Sequence, residues 1–517
     1  MSIQKIKTFS NLWLQWFEII VEADMNRSVP TIEIIWLPDA TVKEAKERIR
    51  ATFRNVWVVL PNSRIVLNLS PSDIRKAGTS FDLPMAVATL FLVKEWYEID
   101  REEISEILFF WELWLDWLVK RVNWLLPCVI SAMKNWYKNF FVPAENIYEL
   151  EYVPWITIFS VEHFDQIVSH FYTENKIVGI QSWKNIDDLY KESNNFEVDF
   201  EHIKWHIFAK RACSIAAAWF HNMLLAGAPW SGKTMLSKAI QSILPPLGFE
   251  EILQVSQIYS VVWKLNKDQP LITKRPFRQV HHTASKVSII WWWKNLTPWE
   301  VSLAHKGILF FDELTEFPRE VLEVLRQPIE DKTIMISRAS WTICYPSNFM
   351  FIASMNPCKC GYYKDREKQC TCSMMDVKRY QSKISWPLLD RIDIILEVPR
   401  ENIEKLLGNE KWENSESLKN KVMNTRIIQQ KRFEKTWISS NSEISSRNID
   451  EFIPLDSWWK EFISQASRKL NLSPRVIHRI MKLARTIADM ENVENVWVNH
   501  LAEAMQFRSK TMFVESE

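Results

Sequence analysis

A strand-like run of four apolar residues, Met223 to Ala226, leads straight into Gly227-Ala228-Pro229-Trp230-Ser231-Gly232-Lys233-Thr234, and a helical pattern follows from Met235 to Ile243. The string fits G-x-x-x-x-G-K-[ST] in the strand, loop and helix context that the pattern requires. No other segment restricts the fold as much, because such a loop works only where a buried strand delivers it to the N-terminus of a helix. There, backbone N–H groups hold phosphate oxygens, Lys233 reaches the β- and γ-phosphates, and the Thr234 hydroxyl helps to hold Mg²⁺. The expected ligands are therefore ATP and Mg²⁺. Trp230 is the discordant residue, since a large side chain on Cβ opposes the backbone approach to phosphate.

Trp230 belongs to a wider anomaly. The chain has 8 Gly and 27 Trp, whereas about 7% glycine, roughly 36 residues here, is ordinary. The two counts together match the ordinary glycine number. Tryptophan also sits where glycine is wanted, as in Trp291-Trp292-Trp293 and in Trp386 before Pro387. The expectation is that most of these positions are glycine codons rendered as tryptophan, as happens when UGA, which some bacterial lineages read as glycine, is translated as Trp. A truly Trp-rich protein is the alternative.

Length sets the prior at about three domains. Residues 1–170 alternate β-like runs (Thr31 to Leu37, Ile65 to Leu69) with helical stretches such as Val42 to Phe53, giving an α/β domain. Residues 171–200 turn polar and irregular and read as a linker. Residues 201–400 form a second α/β block whose apolar runs, Met223 to Ala226, Ile308 to Phe311 and Phe349 to Ala353, suit buried parallel strands. Residues 401–517 begin rich in Asn, Lys, Glu and Ser and become helical, most clearly from Val476 to Met490. Lys plus Arg is 64 and Asp plus Glu is 63, so any polyanion contact is focal rather than a basic coat. Neither a signal-peptide pattern nor a run of about 18 apolar residues occurs, and a soluble, cytoplasmic protein without membrane contact is expected.

Ile308 to Phe311 ends in Asp312 and Glu313. A buried strand can present Asp312 to Mg²⁺ while Glu313 polarises the attacking water; the same residues also suit a plain strand-to-helix cap. Cys358, Cys360, Cys370 and Cys372 form C-x-C, nine residues, C-x-C. Four thiolates in this compass can enclose a structural Zn²⁺, with metal-free thiols and redox pairs as the other readings.

Taken with Arg275-Pro276-Phe277-Arg278-Gln279-Val280-His281-His282-Thr283-Ala284-Ser285, Ser302-Leu303-Ala304-His305, Asp312-Glu313-Leu314, Met355-Asn356-Pro357-Cys358 and Leu388-Leu389-Asp390-Arg391-Ile392-Asp393, the chain resembles the magnesium-chelatase-like AAA+ proteins of the ComM/YifB group over nearly its whole length. With Gly read at Trp36, Trp111, Trp114, Trp230, Trp291 to Trp293, Trp299 and Trp386, the resemblance improves. It implies an N-terminal Lon-protease-like domain, a P-loop AAA+ parallel-sheet core and a C-terminal helical lid. It further implies a homo-hexameric ring ATPase with Asn356 as sensor 1, Arg391 as an arginine finger given to the neighbouring subunit, and Arg475 as sensor 2. Each of these could instead be an ordinary capping amide or salt-bridged arginine.

The resemblance also places an insert at 275–300 and a hairpin at 332–350, with strands Ile334 to Ser337 and Thr342 to Tyr345. Arg275, Arg278, Lys286, Lys294 and Arg338 could then meet a DNA backbone, or Arg275 to His282 could be internal packing. His281 and His282 read as structural. Ser80 falls near a peptidase relative's nucleophile, but Leu125-Leu126-Pro127 stands where the activating lysine is expected, which favours a non-proteolytic scaffold. The function implied is a DNA helicase or branch-migration motor acting on single-stranded or branched DNA in recombination or natural transformation. A magnesium-chelatase-like or protein-remodelling ATPase is the alternative, and an ATP-dependent peptidase the third reading.

Overall fold

The structure is a computed structural model. It describes all residues except 1–2, 13–14, 36–39, 72–80, 94–103, 105, 111, 115, 123, 182–183, 186–188, 191–195, 204–205, 282–299, 339–340, 366, 401–412, 435, 437–440, 442–443, 445–446, 454–460, 462–464, 466–472, 509–512 and 514–517. Ser80, His282, Lys286, Lys294 and Trp291 to Trp293 thus lie outside the described residues. Among the described residues, no helix is long and apolar enough to cross a membrane.

The chain clusters into two compact units. The first comprises Met1–Lys191 with Ile252–Ile272 and Ser337–Ile343. Strands β1 (Gln4–Leu12), β2 (Gln15–Asn26), β3 (Thr31–Ile35) and β4 (Arg64–Ser70) form one sheet in the order β1-β2-β4-β3. In β4 every second residue, Ile65, Leu67 and Leu69, is buried, the period-two pattern of a sheet with one covered face. Two helices, Ala40–Asn55 and Asp82–Val93, bring Ala45, Ile49, Phe53 and Leu90 into the same core. Asp82 is buried at the start of its helix, and Arg48 pairs with it at 2.7 and 3.1 Å. A second sheet contains β5 (Ile107–Phe109), β8 (Asn139–Pro143), β9 (Thr157–Val161) and β10 (Ile180–Gln181), while β6 (Glu112–Leu113) and β7 (Val119–Lys120) pair separately. The buried Glu149 carboxylate accepts from Ser260 Oγ at 2.9 Å and Arg121 at 3.2 Å, tying the 252–272 segment into this unit.

The second unit is built on five parallel strands: β11 (Met223–Ala226), β12 (Phe277–Val280), β13 (Ile308–Phe311), β16 (Met350–Met355) and β17 (Ile394–Glu397). Their order is β12-β13-β16-β11-β17. The three central strands β11, β13 and β16 are buried throughout, which explains their continuous apolar runs. Each large apolar side chain removed from water there stabilises the fold by roughly 1.5–3 kcal/mol. Helices Ile207–Trp219, Lys233–Ile243, Ser415–Phe433, Pro474–Met490 and Val498–Gln506 pack on the same core through residues such as Ile215, Leu236, Leu418, Ile480 and Leu501. Asn414 and Ser473 cap two of them, accepting from the backbone of Ser417 and Val476. The expected hairpin is present as β14 (Thr333–Arg338) and β15 (Trp341–Pro346), which pair with each other.

Tryptophan backbones carry a glycine-like geometry. Of the 14 described non-glycine residues with positive φ, seven are Trp: 57, 117, 124, 136, 155, 230 and 263. Three of these end helices in one and the same way. Trp136 N–H bonds Met133 O while Tyr137 N–H bonds Ala132 O; Trp57 with Val58, and Trp263 with Lys264, repeat the pairing. That is the Schellman closure, whose left-handed residue is usually glycine. For an L-residue the left-handed region costs about 1–2 kcal/mol, partly offset by glycine's larger loss of chain entropy. Trp57→Gly and Trp136→Gly, whose side chains are 92% and 88% exposed, are each expected to raise stability by about 1 kcal/mol in denaturant titrations. Unchanged or lower stability in both would count against a glycine-type site.

Candidate nucleotide site

Because all five strands run parallel, their carboxyl ends lie on one edge, where a twisted α/β sheet binds its ligands. Ala226 pairs with Met355, and Phe311 with Ala353. This register brings residues 227–234, Asp312, Glu313 and Asn356 to the same edge. Gly227 must be glycine: a Cβ there would lie 2.2 Å from the O of Val398, the residue just after β17. Gly232 (φ 85°) turns the chain into the helix Lys233–Ile243. Trp230, with φ 64°, is 99% exposed.

The Lys233 ammonium donates to Gly227 O at 2.9 Å, Ala228 O at 2.7 Å and Asn356 Oδ1 at 3.3 Å. Burial pulls its pKa down to about 8, against the opposing pull of Asp312 and Glu313. A polyphosphate beside it would favour the charged form again. Thr234 Oγ1 donates to Asp312 Oδ2 at 3.3 Å, so the two oxygen donors expected on Mg²⁺ are adjacent. These oxygens fit a hard cation that keeps several waters.

Ser354 was not foreseen from the sequence. Its Oγ, buried in β16, donates to Asp312 Oδ1 and accepts from Glu313 N at 3.2 Å, which orients both acidic residues. The only local signal is a hydroxyl within the otherwise apolar run Met350-Phe351-Ile352-Ala353-Ser354-Met355. Glu313 itself is exposed, with φ 53°.

Arg391 and Arg475 meet in a second place. Arg391 is 8% exposed. It follows the short helix Trp386–Leu389, donates to Pro387 O at 2.7 Å and pairs with Glu330. Arg475 donates to the other oxygen of Glu330 at 2.7 Å. Among the described residues neither arginine bonds to residues 227–234, so one chain does not bring these guanidiniums onto its own loop. Arg479 anchors the base of this cluster by donating to Arg391 O and to Asp393. Despite burial, Arg479 and His221 hold the Asp393 carboxyl well below the usual carboxylate range.

The four cysteines also converge. Their Sγ atoms lie within 4.8 Å of one another, with contacts of 3.3, 3.7 and 3.5 Å among Cys358, Cys360 and Cys370. Tetrahedral Zn–S bonds of about 2.3 Å place sulfurs about 3.8 Å apart, so the donor set fits. Burial pushes the Cys358 thiol up to about 12. Against burial, the backbone N–H groups of Tyr362 and Thr371 draw Cys360 down to about 5.

The basic residues considered for DNA divide. Arg275 is internal: it is 5% exposed and donates to Pro245 O, Lys306 O and Glu251. Packing, not a DNA contact, is its role here. Arg278 makes a two-pronged pair with Glu300.

Residues 199–406 match the family described as magnesium chelatase, subunit ChlI. Residues 21–146 match subunit ChlI of Mg-chelatase, and 412–508 the ChlI C-terminal region. The chain is 32% identical to Competence protein ComM of Haemophilus influenzae, with 100% of this chain and 99% of the relative covered. It is 33% identical to the uncharacterized protein YifB of Salmonella typhimurium and 32% identical to that of Escherichia coli, covering 98% of this chain and 97% of each relative. The P-loop at the edge of a parallel sheet and this full-length likeness lead to one conclusion: the chain belongs to the magnesium-chelatase ChlI-type family of AAA+ ATPases, with ComM and YifB proteins as relatives.

Proposed function

We propose that the chain is a Mg²⁺-dependent ATPase working as a homo-hexameric ring motor on DNA, a helicase or branch-migration factor in recombination or natural transformation. The observation that carries the ATPase part is the convergence of Lys233, Thr234, Asp312, Glu313 and Asn356 at one sheet edge. Gly227, Ala228, Pro229, Trp230, Ser231 and Gly232 cradle the phosphates. Lys233 neutralises them, Thr234 and Asp312 hold Mg²⁺, Glu313 takes the proton of the attacking water, and Asn356 orients that water. Arg391 acts on the neighbouring subunit's nucleotide, and Arg475 is the sensor-2 arginine of the helical lid. The parts of the motor are residues 1–170 as a non-proteolytic Lon-protease-like scaffold, 171–200 as linker, 201–400 as core and 401–517 as lid. The cysteine cluster holds structural zinc, and the protein works in the cytoplasm without a membrane.

The DNA substrate is supported by full-length likeness to a protein named for competence and by the β14–β15 hairpin, which carries Arg338. On this reading, single-stranded or forked DNA raises ATP turnover, and binding weakens steeply with salt as counterion release demands. ATPase and fork-unwinding assays with Lys233→Ala as control check it. Turnover indifferent to every DNA structure would move the substrate to a partner protein, the chelatase-type reading that the ChlI match favours. Unwinding that survives Lys233→Ala would refute the motor altogether.

A further inference from the structure

The cysteine cluster and the phosphate-binding loop are mechanically joined. The turn that brings Cys358 and Cys360 together is closed by Gly361 N donating to Cys358 O at 3.0 Å, with Gly361 at φ 86°. Gly361 sits so tightly on the loop that a Cβ would lie 2.6 Å from Pro229 Cδ and 2.7 Å from Cγ. A second strut runs through Arg400. Its guanidinium lies 4.9 Å from the Tyr362 ring centroid, 3.8 Å from Asp365 Oδ2, and donates to Pro229 O at 3.3 Å. At the near end, Asn356, two residues before Cys358, receives the Lys233 ammonium. Residues 356–365 therefore touch the loop at Pro229 and at Lys233.

Among the described residues, no helix or strand lies in that segment. Between β16 and the helix Met374–Gln381 the described residues form only turns and bends. Thiols are weak hydrogen-bond partners and offer little to fix the shape. A tetrahedral metal replaces them with four strong bonds, and its binding free energy becomes local folding free energy. Soft thiolates select Zn²⁺, whereas the Thr234 and Asp312 oxygens select Mg²⁺, so the two sites can be emptied independently.

We propose that Zn²⁺ on Cys358, Cys360, Cys370 and Cys372 positions the phosphate-binding loop through Gly361 and Arg400, so that nucleotide affinity depends on an occupied cysteine site. This rests on the reading that residues 227–234 bind ATP and on zinc in the cluster. Binding displaces the remaining thiol protons to solvent and changes no oxidation state.

The test begins with elemental analysis of the full-length protein, where about one zinc per chain is expected. A zinc-selective chelator in excess Mg²⁺ is then expected to weaken binding of a fluorescent ATP analogue about tenfold or more, the order of effect when positioned groups shift by an ångström. Re-added Zn²⁺ restores the affinity. Hydrogen exchange of residues 223–234 rises on depletion, while that of the helix Pro474–Met490 stays unchanged, which separates the effect from unfolding. Gly361→Ala, which retains all four cysteines, is expected to keep its zinc and still bind the analogue less tightly. Equal affinity and exchange with and without zinc would overturn the coupling alone. Protein without zinc as purified, and unable to take it up, would overturn the site. Zinc-loaded protein unable to bind the analogue would overturn the ATP reading on which both depend.

Discussion

Glu313→Gln is expected to lower ATP hydrolysis by about 10²–10⁴-fold while leaving nucleotide binding nearly unchanged. The substitution keeps size and shape but removes the carboxylate proposed to accept the water's proton. Glu313 is exposed just after β13, and its backbone N–H donates to Ser354 Oγ. The amide variant thus leaves Asp312 with its bonds to Thr234 and Ser354. Phosphate release and titration of a fluorescent ATP analogue measure the two effects separately. Hydrolysis that falls by less than about tenfold would assign the proton to another group.

The second large effect is expected at Arg391. If its guanidinium stabilises charge on a neighbouring subunit's γ-phosphate, Arg391→Ala lowers turnover by about 10³–10⁵-fold. Within one chain Arg391 and Arg475 both rest on Glu330. A polyphosphate carries more negative charge than that single carboxylate and competes for both arginines. Arg391→Lys is expected to rescue poorly, because an ammonium lacks the planar fork. The decisive measurement mixes subunits. Arg391→Ala and Lys233→Ala chains are each inactive alone, yet their mixture regains turnover, since some interfaces combine an intact loop with an intact finger. A mixture as inactive as its parts would place Arg391 in a purely structural role.

Much of the site was legible because its chemistry is local. The loop 227–234 needs glycine where the backbone approaches another chain segment, and Gly227 against Val398 O shows that need directly. Asp312 and Glu313 were readable as polar residues ending an apolar run, Asn356 only through the family resemblance, and a parallel sheet carries such strand ends to one edge. The C-x-C pairs announced a four-sulfur cluster by spacing, and the Sγ atoms do meet.

Other partners carry no local mark. Ser354 is one hydroxyl in an apolar strand, Glu330 one acid among many in a helix, and Arg400 one of the chain's ordinary basic residues. Their importance comes from what β13, the 386–391 turn and Pro229 place opposite them. Arg275 makes the converse point, since its guanidinium is consumed by backbone carbonyls and Glu251 that are distant in sequence. Short-range pattern therefore sufficed for the parallel-sheet core, its phosphate loop and the cysteine cluster, because glycine geometry, strand period and ligand spacing act over a few residues. Which acid holds which arginine, which serine orients the two carboxylates, and that the cysteine turn bears on Pro229 were decided only when distant segments packed, because ion pairs and van der Waals contacts depend on distance in space and not on distance along the chain.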